Sequence, residues 1–208
     1  MRLVPHKHPA ETPPPASDNR ALVDGLRNGD RIATGVFYDR FQPLVERILL
    51  RVLGDEPDLG DLVHDTFLAA MRSISGVRDP QALPGWLVRI AVRTAADWLR
   101  RRKRRRWLML LNPWTDEAAT VFEMDTDGAE AVRETYRLLE QLPVDERVAF
   151  SLRVIDGREL TDVASACGCS LATIKRRLTR AEARFVKLAR GNAVLSSWVD
   201  ESQRWGHS

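Results

Sequence analysis

Cysteine is scarce in this chain of 208 residues, which holds only Cys167 and Cys169. A Cys-x-Cys pair with no further cysteine and no nearby histidine does not complete a tetrahedral zinc site, and it forms only a strained disulfide. We therefore interpret the two residues as small side chains that fill a tight turn. The sequence predicts neither a metal site nor any other cofactor.

Long apolar runs are missing too. No stretch approaches the roughly 20 apolar residues that a helix needs to span a bilayer. The first 17 residues, MRLVPHKHPAETPPPAS, lack the apolar segment and the cleavage-like site of a secretory signal. Their proline content is typical of a disordered arm, residues 1–17. The sequence thus predicts a cytoplasmic protein that does not contact membranes.

Strand-like alternation is not found either, whereas apolar residues recur at the three-four spacing of buried helix faces. This pattern predicts four helices within residues 18–106, with Asp58 as the N-cap of the third, and a second helical block at 129–190. The sequence therefore predicts an all-α protein of two small helical domains. The second helix is expected to bury one broad face, made of Ile32, Val36, Phe37, Phe41, Leu44, Val45, Ile48, Leu49 and Val52.

Charge is nearly balanced overall, with a formal net charge of +3, but its distribution is uneven. A predicted helix from Pro84 ends in seven consecutive basic residues, Arg100 to Arg106. Residues 115–130 then carry acidic side chains and no basic ones. We interpret residues 107–128 as a flexible acidic linker between the two domains.

The second block contains the pattern of a helix-turn-helix. Its first helix turns Leu160, Val163 and Ala164 inward, Gly168 supplies the permissive backbone of the turn, and Ser170 is the expected N-cap of the second helix. The inward face of that second helix is predicted to comprise Leu171, Ile174, Leu178, Ala181 and Phe185.

The outward face of this second helix has the chemistry of a DNA reader. It carries Thr173, Lys175, Arg176, Arg177, Thr179 and Arg180. A helix fits the major groove, where Arg and Lys meet guanine O6 and N7 and Thr meets the thymine methyl group. The alternative interpretation is a helical bundle whose exposed face happens to be basic.

Together, these segments resemble the extracytoplasmic-function (ECF) sigma factors. DLVHDTFLAAMRSI (61–74) and ALPGWLVRIAVRTAADWLRRRKRR (82–105) resemble the second conserved region of that family, and residues 142–185 resemble its fourth region. The resemblance implies a protein that binds core RNA polymerase and directs promoter recognition, DNA opening and transcription initiation. It also implies an anti-sigma factor as a possible partner and a monomer when free.

The resemblance assigns roles to three sets of residues. The helix that docks on polymerase matches here at Asp61, Leu62, Asp65, Phe67, Leu68 and Met71. The −10 element reader matches at Arg78, Asp79, Trp86, Arg89, Arg93, Arg100, Arg101, Lys103 and Arg104, with Trp86 as the wedge that stacks on a displaced base. The −35 element reader matches at Ser170, Thr173, Lys175, Arg176, Arg177 and Arg180. For Arg177 the alternatives are a contact to phosphate and an ion pair with Glu182.

Two other functions are weighed against this one. A free-standing helix-turn-helix regulator would need a sensor or dimerisation domain, which residues 18–106 do not resemble. A nucleic-acid enzyme would need a metal or acid-base cluster, yet the sequence has no HExxH, no paired Cys motif and no phosphate loop, and His64 is isolated. We therefore expect no catalytic residues.

The tail, residues 191–208, is too short for a domain. Its apolar side chains Val194, Leu195, Trp198 and Trp205 are expected to pack back as a brief helix, and contact with a regulator is the alternative.

Overall fold

The structure of the protein is a computed structural model that describes residues 19–111 and 127–196. Within these ranges every regular element is helical, which confirms the all-α prediction. Short 3-10 turns at Ile74–Gly76 and Pro80–Ala82 lead into the fourth helix, and a π-helical turn at Ser151–Ile155 follows the sixth. The helices are α1 (Asn19–Arg27), α2 (Arg31–Leu53), α3 (Leu59–Ser73), α4 (Leu83–Leu111), α5 (Asp127–Leu139), α6 (Val144–Phe150), α7 (Leu160–Cys167) and α8 (Leu171–Arg190).

Helices α1 to α4 form the first bundle around the buried face of α2. Phe37 packs on Phe41 and Phe67 with ring centroids 5.4 and 5.3 Å apart. The predicted inclusion of Ile32 and Val36 in this face is wrong, because they are 78% and 45% exposed. At about 100° per residue, both lie on the opposite side of the helix from Phe41.

The prediction that Asp58 caps α3 is also wrong. Asp58 precedes the helix, but its backbone is not extended and its side chain accepts no hydrogen bond from the first turn. Its Oδ2 instead accepts a hydrogen bond from the Trp98 indole Nε1 at 3.3 Å. This contact ties the start of α3 to the buried side of α4.

Helix α4 is longer than the sequence pattern indicated. It begins one residue before Pro84 and continues five residues beyond Arg106, through WLMLL. Trp, Leu and Met are compatible with a helix, so nothing in this segment ends it. The remaining linker segment, 112–126, and the proline-rich arm lie outside the described residues.

Helices α5 to α8 form the second bundle, and its helix-turn-helix is as predicted. Gly168 adopts the left-handed conformation at φ 62°, and Ser170 Oγ accepts a hydrogen bond from the Thr173 backbone N at 3.2 Å. Ile174 is fully buried, whereas Leu171 is 39% exposed, contrary to prediction. Leu171 is the first residue of α8 and lies before the buried run.

The apolar tail residues of the described range pack back as expected. Leu195 is buried and Val194 is half-buried against Ala131, Leu138 and Ala189, whereas Trp198 and Trp205 lie outside the described residues. Both cysteines are free and half-buried beside the turn. Burial raises the pKa of the Cys167 thiol to about 12, so this side chain stays protonated at neutral pH.

The two bundles pack directly against each other, which the sequence did not predict. Helix α4 contacts α6 and α7, and α2 contacts the π-helical turn. A single apolar core includes Leu87 and Val92 of the first bundle together with Val148, Leu152 and Val163 of the second. We call the arrangement in which these surfaces meet the closed form.

Side chains of the second bundle cap the end of α2. A helix leaves its last four carbonyl groups without intrahelical partners. Arg147, which is 3% exposed, donates from Nε to Val52 O at 3.0 Å and from Nη2 to Leu53 O at 2.7 Å. The Tyr136 hydroxyl lies 3.2 Å from Leu50 O and 3.1 Å from Arg51 O, within hydrogen-bond distance of both. Burial lowers the pKa of Arg147 to about 10, which still leaves the guanidinium charged at pH 7.

Gly54, which follows α2, is expected to tolerate no side chain. It adopts φ 87°, and a Cβ there would lie 2.9 Å from Cδ1 of Tyr136. Gly54→Ala should therefore lower the free energy of unfolding by about 2–3 kcal/mol, from backbone strain and the displaced ring. Urea denaturation measures this, with Gly60→Ala as the control. Gly60 lies within α3 in open space, so that substitution should be neutral or stabilising by up to about 1 kcal/mol. Equal effects would contradict the prediction.

Candidate nucleic-acid interface

A row of basic and aromatic side chains runs along one side of α4, and we call it the basic stripe. Its members recur at three- or four-residue steps, or their multiples, so they share one side of the helix. The row extends about 31 Å at 1.5 Å per residue. The basic stripe consists of Trp86, Arg89, Arg93, Arg100, Arg104 and Trp107.

The N-terminal end of the stripe adjoins the loop between α3 and α4. Trp86 is half-buried and packs against the core, so part of its side chain remains accessible. Arg78 and Asp79 are exposed in the loop. Asp79 Oδ1 accepts a hydrogen bond from Gln81 N at 2.9 Å and so caps the short turn before α4.

Several arginines of the stripe already have partners inside the protein. Arg93 lies 3.9 Å from the Asp97 carboxylate but remains 85% exposed. Arg89 donates from Nε to Ser165 O of α7 at 3.2 Å. Arg100 pairs with Asp97 at 3.0 Å and with Asp145 of α6 at 2.9 Å.

Within the basic run from Arg100 to Arg106, some side chains are paired inside the protein and others are exposed. Arg102 stacks over Trp98 at 4.9 Å and pairs with Glu56 and Glu140, and Arg106 pairs with Glu140 at 2.7 Å. These two arginines therefore help to hold the bundles together, a role that the sequence pattern did not reveal. Arg101, Lys103 and Arg104 remain exposed.

Helix α8 presents the second basic surface. Arg176 and Arg180 are exposed and one turn apart, opposite the face that buries Ile174 and Leu178. Lys175 is also exposed but lies about 100° around the helix from Arg176. Ser170 is exposed at the N-cap and Thr173 is half-buried.

Arg177 differs from these neighbours because it is engaged within the protein. Its Nη2 lies 2.8 Å from Asp145 Oδ2, and its Nη1 is 3.8 Å from Cys169 Sγ. The ion pair with Glu182, the alternative role predicted for Arg177, is not formed, because the partner of Arg177 is Asp145. Only 27% of its side chain is exposed.

The residues of α3 that were predicted to dock on polymerase differ in how exposed they are. Asp61 and Asp65 are exposed, Leu68 is 41% exposed and Met71 is half-buried. Leu62 and Phe67 are 3% and 6% exposed and belong to the core, so their side chains support this face and do not present a contact surface.

An open groove of about 550 Å³ runs between α3 and α4. Its lining includes Asp61 and Asp65 on one side and Arg101, Arg104 and Arg105 on the other.

No cluster of histidine, cysteine, aspartate or glutamate in the described ranges could hold a metal ion. Among the same residues, no helix is both long and apolar enough to cross a membrane.

Comparison with known families defines the class of protein. Residues 37–105, which span most of α2 to α4, match Sigma-70 region 2, and residues 133–185, most of α5 to α8, match Sigma-70 region 4. Two helical bundles that carry these regions in this order are those of a sigma factor.

Individual relatives define the family further. The chain is 30% identical over 172 residues to the ECF RNA polymerase sigma-E factor of Haemophilus influenzae, and 30% identical over 180 residues to that of Escherichia coli K12. Each comparison covers 78% of this chain and 90% of the relative. The chain belongs to the ECF RNA polymerase sigma factor family, and it directs core RNA polymerase to promoters.

Solved structures show the same fold. CnrH in complex with the cytosolic domain of CnrY superposes with a TM-score of 0.57 at 20% identity, over 84% of this chain and 99% of that one. The sigma factor RpoE in complex with the anti-sigma factor NepR from Bartonella quintana gives 0.54 at 21% identity, over 78% and 93%.

Proposed function

We propose that this sigma factor divides promoter recognition between two surfaces and polymerase binding to a third. The basic stripe of α4, with Arg78 and Asp79, holds the −10 element; α8 reads the −35 element; and the exposed side of α3 docks on core polymerase. Residues 18–106 and 129–190 act as the two functional domains, joined by the acidic linker. The observation that carries this proposal is the presence of two separate exposed basic helix faces, on α4 and α8, in one chain.

At the −10 element the task is to hold bases outside the duplex. Extruding a base costs a few kcal/mol, and stacking it on an aromatic ring returns about 1–3 kcal/mol. Trp86 is the proposed stacking partner, because its half-buried side chain packs against the core and part of it remains accessible. The stripe arginines and the exposed cations Arg101 and Lys103 then bind phosphates of the displaced strand.

At the −35 element the proposed contacts are those of a helix in the major groove. Arg176 and Arg180, which are exposed one turn apart on α8, are the proposed contacts to guanine O6 and N7 on neighbouring base pairs. Lys175 and Arg177 flank them, and Thr173 offers a methyl and a hydroxyl group. The α8 N-terminus, capped by Ser170, favours a backbone phosphate.

We further infer that the chain has no catalytic activity of its own and works in the cytoplasm, since the chemistry of initiation belongs to polymerase. Two of the similar solved structures are complexes, one with CnrY and one with the anti-sigma factor NepR. An anti-sigma protein is therefore a partner class for this chain as well.

Run-off transcription from a library of random promoters tests the proposal. Bacterial core polymerase supplemented with the protein should yield transcripts that share two spaced upstream elements, and core polymerase alone should not. Sequence-specific DNA binding by the isolated protein without such transcripts would instead indicate a free-standing helix-turn-helix regulator. If neither activity appears, direct measurement of core binding decides whether α3 docks at all.

A further inference from the structure

One carboxylate joins the two proposed DNA-binding helices. Asp145 Oδ1 lies 2.9 Å from Arg100 Nη2 of α4, and Asp145 Oδ2 lies 2.8 Å from Arg177 Nη2 of α8. Each oxygen of the carboxylate thus holds one arginine, as two oxygens of a DNA phosphate would. Asp145 itself lies in the first turn of α6 and is about half exposed.

We propose that Asp145 is an internal competitor for DNA phosphate, which clasps Arg100 and Arg177 and keeps the free sigma factor in its closed form. This inference rests on the proposed function, because it takes both arginines to be DNA contacts. While Asp145 holds both arginines, an arrangement that we call the clasp, the Nη2 atoms of Arg100 and Arg177 are occupied, and their side chains remain 49% and 27% exposed. DNA phosphate and Asp145 therefore compete for the same two nitrogen atoms.

The promoter geometry requires the clasp to open. Elements centred near −10 and −35 are about 25 base pairs apart, or about 85 Å of B-form DNA at 3.4 Å per pair. In the closed form a single carboxylate touches both reading helices, so α4 and α8 cannot occupy the two elements of one promoter. Engagement of both elements must separate the bundles.

Further contacts across the same interface also hold the two bundles together. Glu140 pairs with Arg102 and Arg106 of α4, Arg47 of α2 lies 3.7 Å from Asp156, and Arg89 donates to Ser165. In these ion pairs the second bundle supplies the carboxylates and the first bundle supplies the arginines. Such partly exposed pairs are screened by salt, and polymerase or DNA surfaces can replace them. Opening the closed form also requires separation of the shared apolar core and of the Arg147 caps, so these ion pairs are only the salt-sensitive part of the interface.

Substitution of Asp145 by Asn tests the clasp, with Asp162→Asn as the matched control. Asp162 also lies in the first turn of a helix in the second bundle, and the structure gives it no ion pair among the described residues. Both variants lose one negative charge and one carboxylate near a helix N-terminus, but only Asp145 holds arginines. A second variant, Glu140→Gln, removes the neighbouring pairs without touching a proposed DNA contact.

Two measurements on the full chain are compared at several salt concentrations. The first is the affinity for a 20-base-pair duplex of random sequence, and the second is the radius of gyration from small-angle X-ray scattering. Because an exposed ion pair changes an equilibrium by about 1.5- to 5-fold, Asp145→Asn should bind the duplex about 2- to 10-fold more tightly than Asp162→Asn. It should also expand at lower salt, and Glu140→Gln should add to the expansion.

The outcomes separate the clasp from the proposed function. Equal duplex affinity and equal dimensions for the two Asn variants would overturn the clasp and leave the promoter assignments to the transcription test. Expansion of Asp145→Asn without any gain in duplex affinity would overturn the competitor role, and with it the assignment of Arg100 and Arg177 as DNA contacts.

Discussion

Replacing Lys175, Arg176 and Arg180 together with alanine will reduce promoter-dependent transcription by at least about 100-fold, while binding to core polymerase stays unchanged. A good bidentate contact to a base contributes about 1–3 kcal/mol of discrimination, so the loss of even two such contacts accounts for that factor. All three side chains are exposed on α8 and none has an ion pair in the described structure. Their removal should therefore cost DNA recognition without disturbing the fold.

The control for this triple variant removes the same number of charges elsewhere. Arg20, Lys187 and Arg190 are exposed basic residues outside the proposed reading surface, and their alanine triple variant should keep promoter selectivity with only a shallower salt dependence. Run-off transcription measures promoter use, and fluorescence anisotropy measures core binding. Retained selectivity in the α8 variant would contradict the assignment of the −35 reader.

The helices and the helix-turn-helix were predictable because local rules dictate them. The apolar spacing of α3 and α4 is regular, and the left-handed Gly168 and the Ser170 cap are short-range requirements of the turn. The prediction of buried residues was wrong for Ile32 and Val36, which were included in one broad apolar face of α2. The 3.6-residue period places both residues on the side of α2 opposite Phe41, and both are exposed.

The packing of the two bundles was not predictable in the same way. It depends on pairs far apart in sequence, such as Arg147 with the Val52 and Leu53 carbonyls and Arg102 with Glu140. A basic run and a scattered set of acidic residues fit solvent exposure, DNA binding or internal pairing equally well. The sequence therefore proposed the site residue by residue, and those roles stay predictions, whereas the engagement of Arg100 and Arg177 by Asp145 is seen only in the three-dimensional structure.

Reversing the charge of Asp61 and Asp65 to Lys will weaken binding to core polymerase by about 10-fold or more. The two carboxylates are exposed on α3 beside Leu68 and lack ion pairs in the described ranges, so they are available to basic residues of a partner. Truncation of one partner of an interfacial charge pair typically costs about 2–5 kcal/mol when the pair is buried. The effect should also diminish in high salt, where exposed charges are screened.

The groove beside α3 determines how this experiment must be controlled. Arg101, Arg104 and Arg105 face the same groove, so new lysines at 61 and 65 add like charges and could destabilise α3. The thermal midpoint should fall by no more than about 2–4 °C, equivalent to about 1 kcal/mol in a protein of 150–250 residues. The milder pair Asp61→Asn and Asp65→Asn avoids this repulsion and should still bind core polymerase more weakly than the wild type.

Reversal of two exposed carboxylates of the second bundle, Glu130 and Asp162, gives the matched charge control. It changes the net charge by the same amount but leaves α3 intact. The affinity for core polymerase should then depend on which residues are reversed and not on the net charge of the protein. Unchanged affinity of the α3 variants at both low and physiological salt would mean that polymerase docks elsewhere. Equal weakening by both reversals would mean that long-range charge, and not a surface on α3, governs the encounter.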